Sequence, residues 1–129
     1  MMNYRKAMDE AIFLCTALPN LRCGLFIRTE AEYDVVCELI DECSSNVEIK
    51  LSSKEFGWVL TFACGSMIYI MCCSIMCFSN DVNYGLHAPR LHVAYISENI
   101  EQEVCSVLIY PMMIPYQSRD VIKVIGVGI

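Results

Sequence analysis

Gly57-Trp58-Val59-Leu60-Thr61-Phe62-Ala63-Cys64-Gly65-Ser66-Met67-Ile68-Tyr69-Ile70-Met71-Cys72 opens a run of twenty-four uncharged residues that ends at Asn80. Two folds compete for it. As one helix, Trp58 to Phe78 is long enough to cross a bilayer, with Lys50, Lys54 and Arg90 flanking it. As strands, residues 59–64 and 67–70 are rich in β-branched and aromatic side chains on either side of the turn-prone Gly65-Ser66. The hairpin is the expectation, because the rest of the chain alternates in the way an α/β domain requires.

Working outward, Tyr4, Ala7, Met8, Ala11, Ile12, Cys15 and Leu18 recur at three and four and predict a helix closed by Pro19-Asn20. Residues 24–28 read as a short buried strand. Thr29-Glu30-Ala31-Glu32 is a capping-box pattern, opening a second helix that buries Tyr33, Val36, Cys37, Ile40 and Cys43. Strands follow at 47–51, 58–64 and 67–76, then the loop Ser79-Asn80-Asp81-Val82-Asn83-Tyr84-Gly85. Leu91 to Ile96 is an uncharged strand of the kind covered on both faces. Ser97 or Asn99 caps a third helix, which Pro111 and Pro115 interrupt, and residues 120–127 give a last strand. The expected fold is a single α/β domain over residues 1–129: a three-layer sandwich with a mostly parallel central sheet and an added β-hairpin.

Composition narrows the function classes. Hydrophobic residues make up 56% of the chain and mean hydropathy is +0.45, an excess that predicts a covered surface and hence a homodimer or larger closed oligomer. Nine Lys and Arg against fifteen Asp and Glu give a net charge of −6, which repels nucleic acid and anionic lipid. Nine cysteines without a secretory leader fit a reducing, cytoplasmic setting, and no C-x-x-C pair is present. Cys72, Cys73, Cys77 and His87 or His92 are the only candidate metal set. Their spacing matches no common site, so no cofactor or metal is expected and the thiols read as core.

Four segments carry a family resemblance. Cys23-Gly24-Leu25-Phe26-Ile27-Arg28-Thr29, Thr61-Phe62-Ala63-Cys64-Gly65-Ser66-Met67-Ile68-Tyr69, Tyr84-Gly85-Leu86 with Val93-Ala94-Tyr95-Ile96-Ser97-Glu98, and Val121-Ile122-Lys123-Val124-Ile125-Gly126 follow one another over residues 10–126. In that order they resemble the ATPase domain of the large terminase subunit, the motor that packages DNA into tailed phages. The resemblance implies a P-loop NTPase-like core and a phage-encoded protein acting in the host cytoplasm. It also implies that the strand ending at Ser97-Glu98 is the one that delivers an acidic pair to magnesium and water. Here the first acid is replaced by Ser97, leaving Glu98 as the sole catalytic candidate. A phosphate loop, G-x-x-x-x-G-K-[ST], is missing: Lys6, Lys50, Lys54 and Lys123 all lack a preceding glycine.

Other chemistry is sparse. His87 and His92 are the only histidines, and neither lies near a nucleophile in a recognised signature. The second helix is more informative, because Glu30, Asp34, Glu38 and Glu42 fall at successive fourth positions with Glu32 and Asp41 beside them. Successive members are separated by about 6 Å of helix rise, near the spacing of phosphates along a nucleic-acid strand. Glu30, Asp34, Glu38, Asp41 and Glu42 are therefore the candidate partner-binding residues. The sequence reads as a non-catalytic interaction protein that binds, and inhibits, a host nucleic-acid enzyme or defence complex. The alternatives are a split subunit of a packaging ATPase and, third, a small membrane protein.

Overall fold

The periodic apolar residues of the first segment form α1 (Tyr4–Ala17) in the computed structural model, which describes residues 2–43, 49–54, 57–74, 90–114 and 122–126. Asn3 caps the helix by accepting the Lys6 amide at 2.9 Å, and Tyr4, Ala7, Met8, Ala11, Ile12 and Cys15 are buried along one stripe. Leu18 departs from expectation. It is the C-cap, in extended backbone, and is 48% exposed because the helix stops before bringing it onto the stripe.

The chain continues through β1 (Arg22–Ile27), α2 (Glu30–Cys43), β2 (Ile49–Lys54), β3 (Gly57–Phe62), β4 (Met67–Cys72), β5 (Val93–Ser97) and β6 (Ile122–Ile125). The six strands form one sheet in the order β2-β3-β4-β1-β5-β6. β4, β1, β5 and β6 are mutually parallel, and β2 and β3 add to them as an antiparallel meander. Residues 57–72 of the uncharged run are thus a hairpin, with its turn at Gly65 (φ 89°). Among the described residues no helix is long and apolar enough to cross a membrane.

Alternation along the strands makes two cores. Cys23, Leu25 and Ile27 of β1, Ile68 and Ile70 of β4 and Tyr95 of β5 face α1 and α2. Phe26, Met71, Ala94 and Ile96 face the opposite side, where they meet Cys105, Ile109 and Met112. The last three belong to α3, residues 102–112, which completes the three layers. α2 leaves β1 on one face while α3 leaves β5 on the other and runs in the opposite direction along the sheet, so the two connections have the same hand.

The third helix differs most from its expected form. Neither Ser97 nor Asn99 caps it: Ser97 is the last residue of β5, and the N-cap is Glu101 without a side-chain bond. It comprises an α turn (Gln102–Val104), a π turn (Cys105–Ile109) and a 3-10 turn (Tyr110–Met112). Pro111 does not break it, because it lies at the start of the 3-10 turn, where an amide has no partner to lose. In α2, Val36, Leu39 and Ile40 are buried, whereas Tyr33 and Cys37 are half-buried. Tyr33 instead stacks on Trp58 of β3 with ring centroids 6.5 Å apart. The expected loop at 79–85 and His87 lie outside the described residues.

Candidate functional site

Because β4, β1, β5 and β6 are parallel, their carboxyl ends share one edge of the sheet. α2 and α3 depart from β1 and β5 to opposite faces there, and this divergence is where open α/β sheets form a ligand crevice. Arg28, Thr29 and Glu32 stand on the β1 side, and Glu98, Asn99 and Glu101 on the β5 side. The segment leading into α1 reaches the same edge, since Met2 pairs in parallel with Ile125 and accepts the Gly126 amide at 2.7 Å.

The chain's own side chains bridge this crevice. Glu32 Oε2 accepts the amides of Arg28 at 2.8 Å and Thr29 at 3.3 Å, as the capping box predicts. A carboxylate therefore already occupies the positive end of α2, where a phosphate would otherwise be attracted. The other oxygen of Glu32 accepts from Asn99 Nδ2 at 3.1 Å, and the Arg28 guanidinium donates to Glu101 at 2.8 Å. Both contacts bridge the β1 and β5 loops. The carboxyl of Glu101 is held below the usual range by a backbone amide and then by Arg28.

Ser97 ends β5 and Glu98 follows it, just past the centre of this edge. Ser97 is 1% exposed, and its hydroxyl accepts from Tyr4 at 3.2 Å and from the Asn99 amide at 3.5 Å. Burial raises the pKa of Tyr4, and the carboxylates of Glu32 and Glu98 add to the rise against the Ser97 bond, so the phenol remains a donor. Glu98 is exposed, and its amide extends the β5–β6 pairing by donating to Ile125 at 2.9 Å. Tyr4 thus fills the space in front of Ser97, and the pair ties α1 to β5. Among the described residues no three His, Cys, Asp or Glu side chains converge as a metal site.

The acidic stripe has a different character. Glu30, Asp34, Glu38, Asp41 and Glu42 are all exposed on α2. At about 100° per residue, Glu30, Asp34 and Asp41 fall within roughly 40° of one another, and Glu38 and Glu42 wind onward toward α1. Glu42 meets Arg5 there at 2.7 Å, a bond between half-exposed groups that contributes little stability.

The remaining candidates disperse. Cys72, the last residue of β4, and Cys73, just beyond it, are buried in the cores on opposite faces of the sheet. His92 lies at the far edge: its Nδ1 accepts the Arg22 amide at 3.1 Å, while Cys72 pairs with Ile27, five residues further along β1. That is about 16 Å of strand, so these three do not assemble, and Cys77 lies outside the described residues. His92 also has a lowered pKa, from burial and then Arg22, and it joins the starts of β1 and β5. Sequence reasoning missed Tyr4, Asn99 and Glu101, whose roles depend on the strand order; only Glu32 carried a local signal, its capping box. It also missed an open groove of about 610 Å³ at the far edge, lined by Arg90, Ser106, Tyr110, Pro111, Met113 and Ile114. No protein-family model, curated protein or solved structure matches this chain.

Proposed function

We propose that this protein is a non-catalytic interaction module, phage-encoded and built on a terminase-like nucleotide-hydrolase core, that binds a basic surface of a host nucleic-acid enzyme or defence complex and inhibits it. One observation carries the reading: Glu32 and the Arg28–Glu101 pair bridge the two sides of the crevice where a nucleotide would bind and Tyr4 covers Ser97, while the acidic face of α2 stands exposed. Like charges four residues apart cost a helix about 0.2–0.5 kcal/mol per pair, and a cationic partner would reverse that cost. The test is capture from a host lysate by the full chain, followed by elution with duplex DNA. Wild type should retain nucleic-acid-binding proteins that DNA releases. A variant carrying Glu30→Gln, Asp34→Asn, Glu38→Gln and Asp41→Asn should retain at least tenfold less of them; equal retention by both proteins would remove α2 as the contact surface.

The same reading includes self-association through the hairpin side of the sheet. β2 has one neighbour among the described strands, and Leu51 on it is 45% exposed, a combination that invites pairing with another chain. Light scattering at micromolar concentration should give at least twice the 14.6 kDa chain mass. A monomer at all concentrations would rule this surface out.

A second reading is a split packaging ATPase that receives its phosphate loop from another chain. It is favoured by the approach to α1, which lies beside β6 on the same edge as Glu98. Its test is the ATP assay argued in the Discussion.

A further inference from the structure

Cys15 near the end of α1 and Cys23 near the start of β1 are both fully buried, and their sulfurs lie 3.8 Å apart. The chain between them leaves α1 at Leu18, turns at Pro19 and at Asn20 (φ 57°), and returns directly along β1. Among the described residues the Cys15 thiol also makes one long hydrogen bond, to the Met67 carbonyl at 3.8 Å. Bond formation would shorten the sulfur separation to about 2.05 Å, a change on the scale of side-chain rotation. Among the described residues, the fully buried side chains include no charged one.

We propose that Cys15 and Cys23 form a reversible dithiol–disulfide site, a covalent modification that pins the C-terminal end of α1 to β1. The oxidant is a low-molecular-weight disulfide such as oxidised glutathione. One cysteine thiolate attacks a glutathione sulfur and expels one glutathione thiolate, giving a mixed disulfide. The second cysteine thiolate then attacks the protein sulfur of that bond and expels the other. The two protein thiols lose two electrons and two protons, and two molecules of reduced glutathione carry them away.

Reactivity is controlled by access. The hydrogen bond between the two thiols and then burial keep Cys15 protonated, so exchange waits on opening of the exposed turn at residues 18–20. The same helix holds Tyr4 over Ser97 at its other end, so the closed bond steadies that contact. Cys64 is the built-in contrast, an exposed thiol on the β3–β4 turn that touches the Cys15 carbonyl at 2.8 Å without being part of the pair.

The test uses the full chain equilibrated across ratios of oxidised to reduced glutathione, quenched with acid and alkylated, then digested with trypsin without reduction. Cleavage after Lys6, Arg22 and Arg28 places the two cysteines in separate peptides, residues 7–22 and 23–28. The expected result is a species linking these peptides, two mass units below their sum, together with a rise in Tm of about 5–10 °C for a loop this short. Cys64→Ser should leave both readouts unchanged, and Cys23→Ala should abolish both. Absence of the linked peptides in oxidised glutathione alone would overturn the site, as would linkage of Cys64 to either partner. A linked species with unchanged or lowered Tm would overturn the pinning of α1.

Discussion

Gly57→Ala should be the most destabilising single substitution considered for this protein. Gly57 begins β3 with φ 149°, a backbone conformation that L side chains rarely adopt, and an added Cβ would lie 2.0 Å from the Ile70 carbonyl oxygen. That oxygen belongs to the backbone of β4, which pairs with β3 on one side and β1 on the other, so it has no room to retreat. Strain and the displaced strand together should cost about 3–5 kcal/mol, a large part of a typical domain's 5–15 kcal/mol. Thermal or urea denaturation should register this as a Tm drop of about 12–20 °C. Gly24→Ala is the comparison. Its Cβ would meet only side-chain atoms, Leu91 Cδ1 at 2.5 Å and the Phe26 ring at 2.8 Å, which can shift. A loss nearer 1–2 kcal/mol is expected. Equal losses for the two variants would show that the β3–β4 register is not as rigid as this geometry requires.

Ser97→Asp should destabilise the fold without conferring ATP turnover. In Ser97→Asp a carboxylate would replace a hydroxyl that is 1% exposed and packed under Tyr4. Two donors, the Tyr4 phenol and the Asn99 amide, offset part of the desolvation but not all of it. We expect a destabilisation of about 2–3 kcal/mol at neutral pH. Its pH dependence has a definite sign. Burial raises the carboxyl pKa in the folded state, so the folded protein holds the proton more tightly than the unfolded chain does. The penalty is therefore small below about pH 4, the unfolded value for Asp. It grows as pH rises toward the raised folded value and is constant beyond it. Denaturation of wild type and variant at pH 4 and pH 8 reads this difference directly. Neither protein should turn over ATP with magnesium above background. Magnesium-dependent turnover that disappears with Glu98→Gln would instead promote the split motor.

Much of the architecture was legible locally. The three-and-four spacing of Tyr4 to Cys15 located α1, and Thr29 with Glu32 marked the start of α2, where the Glu32 carboxylate holds two amides. The hairpin could be read because Gly65-Ser66 divides an uncharged run into two short β-rich pieces. Helix ends and caps were less legible. Leu18 kept the apolar period but fell beyond the last helical turn, and Ser97, expected as a cap, is instead the last residue of β5.

The acidic stripe required nothing beyond helical periodicity, since five exposed carboxylates on one helix follow from their spacing alone. The state of the crevice required the strand order. Glu32 and Asn99 are 67 residues apart, Arg28 and Glu101 are 73 apart, and Tyr4 and Ser97 are 93 apart. No local pattern encodes such pairs. They meet because β1 and β5 are neighbours in the sheet, with β2, β3 and β4 on the other side of β1 and α1 laid across it. Thus the sequence by itself determined most of the elements and their faces, and showed that no phosphate-loop motif is present, through patterns of short range along the chain. Only the tertiary structure decided which side chains occupy the crevice, because that depends on contacts formed once burial has set the order of the sheet.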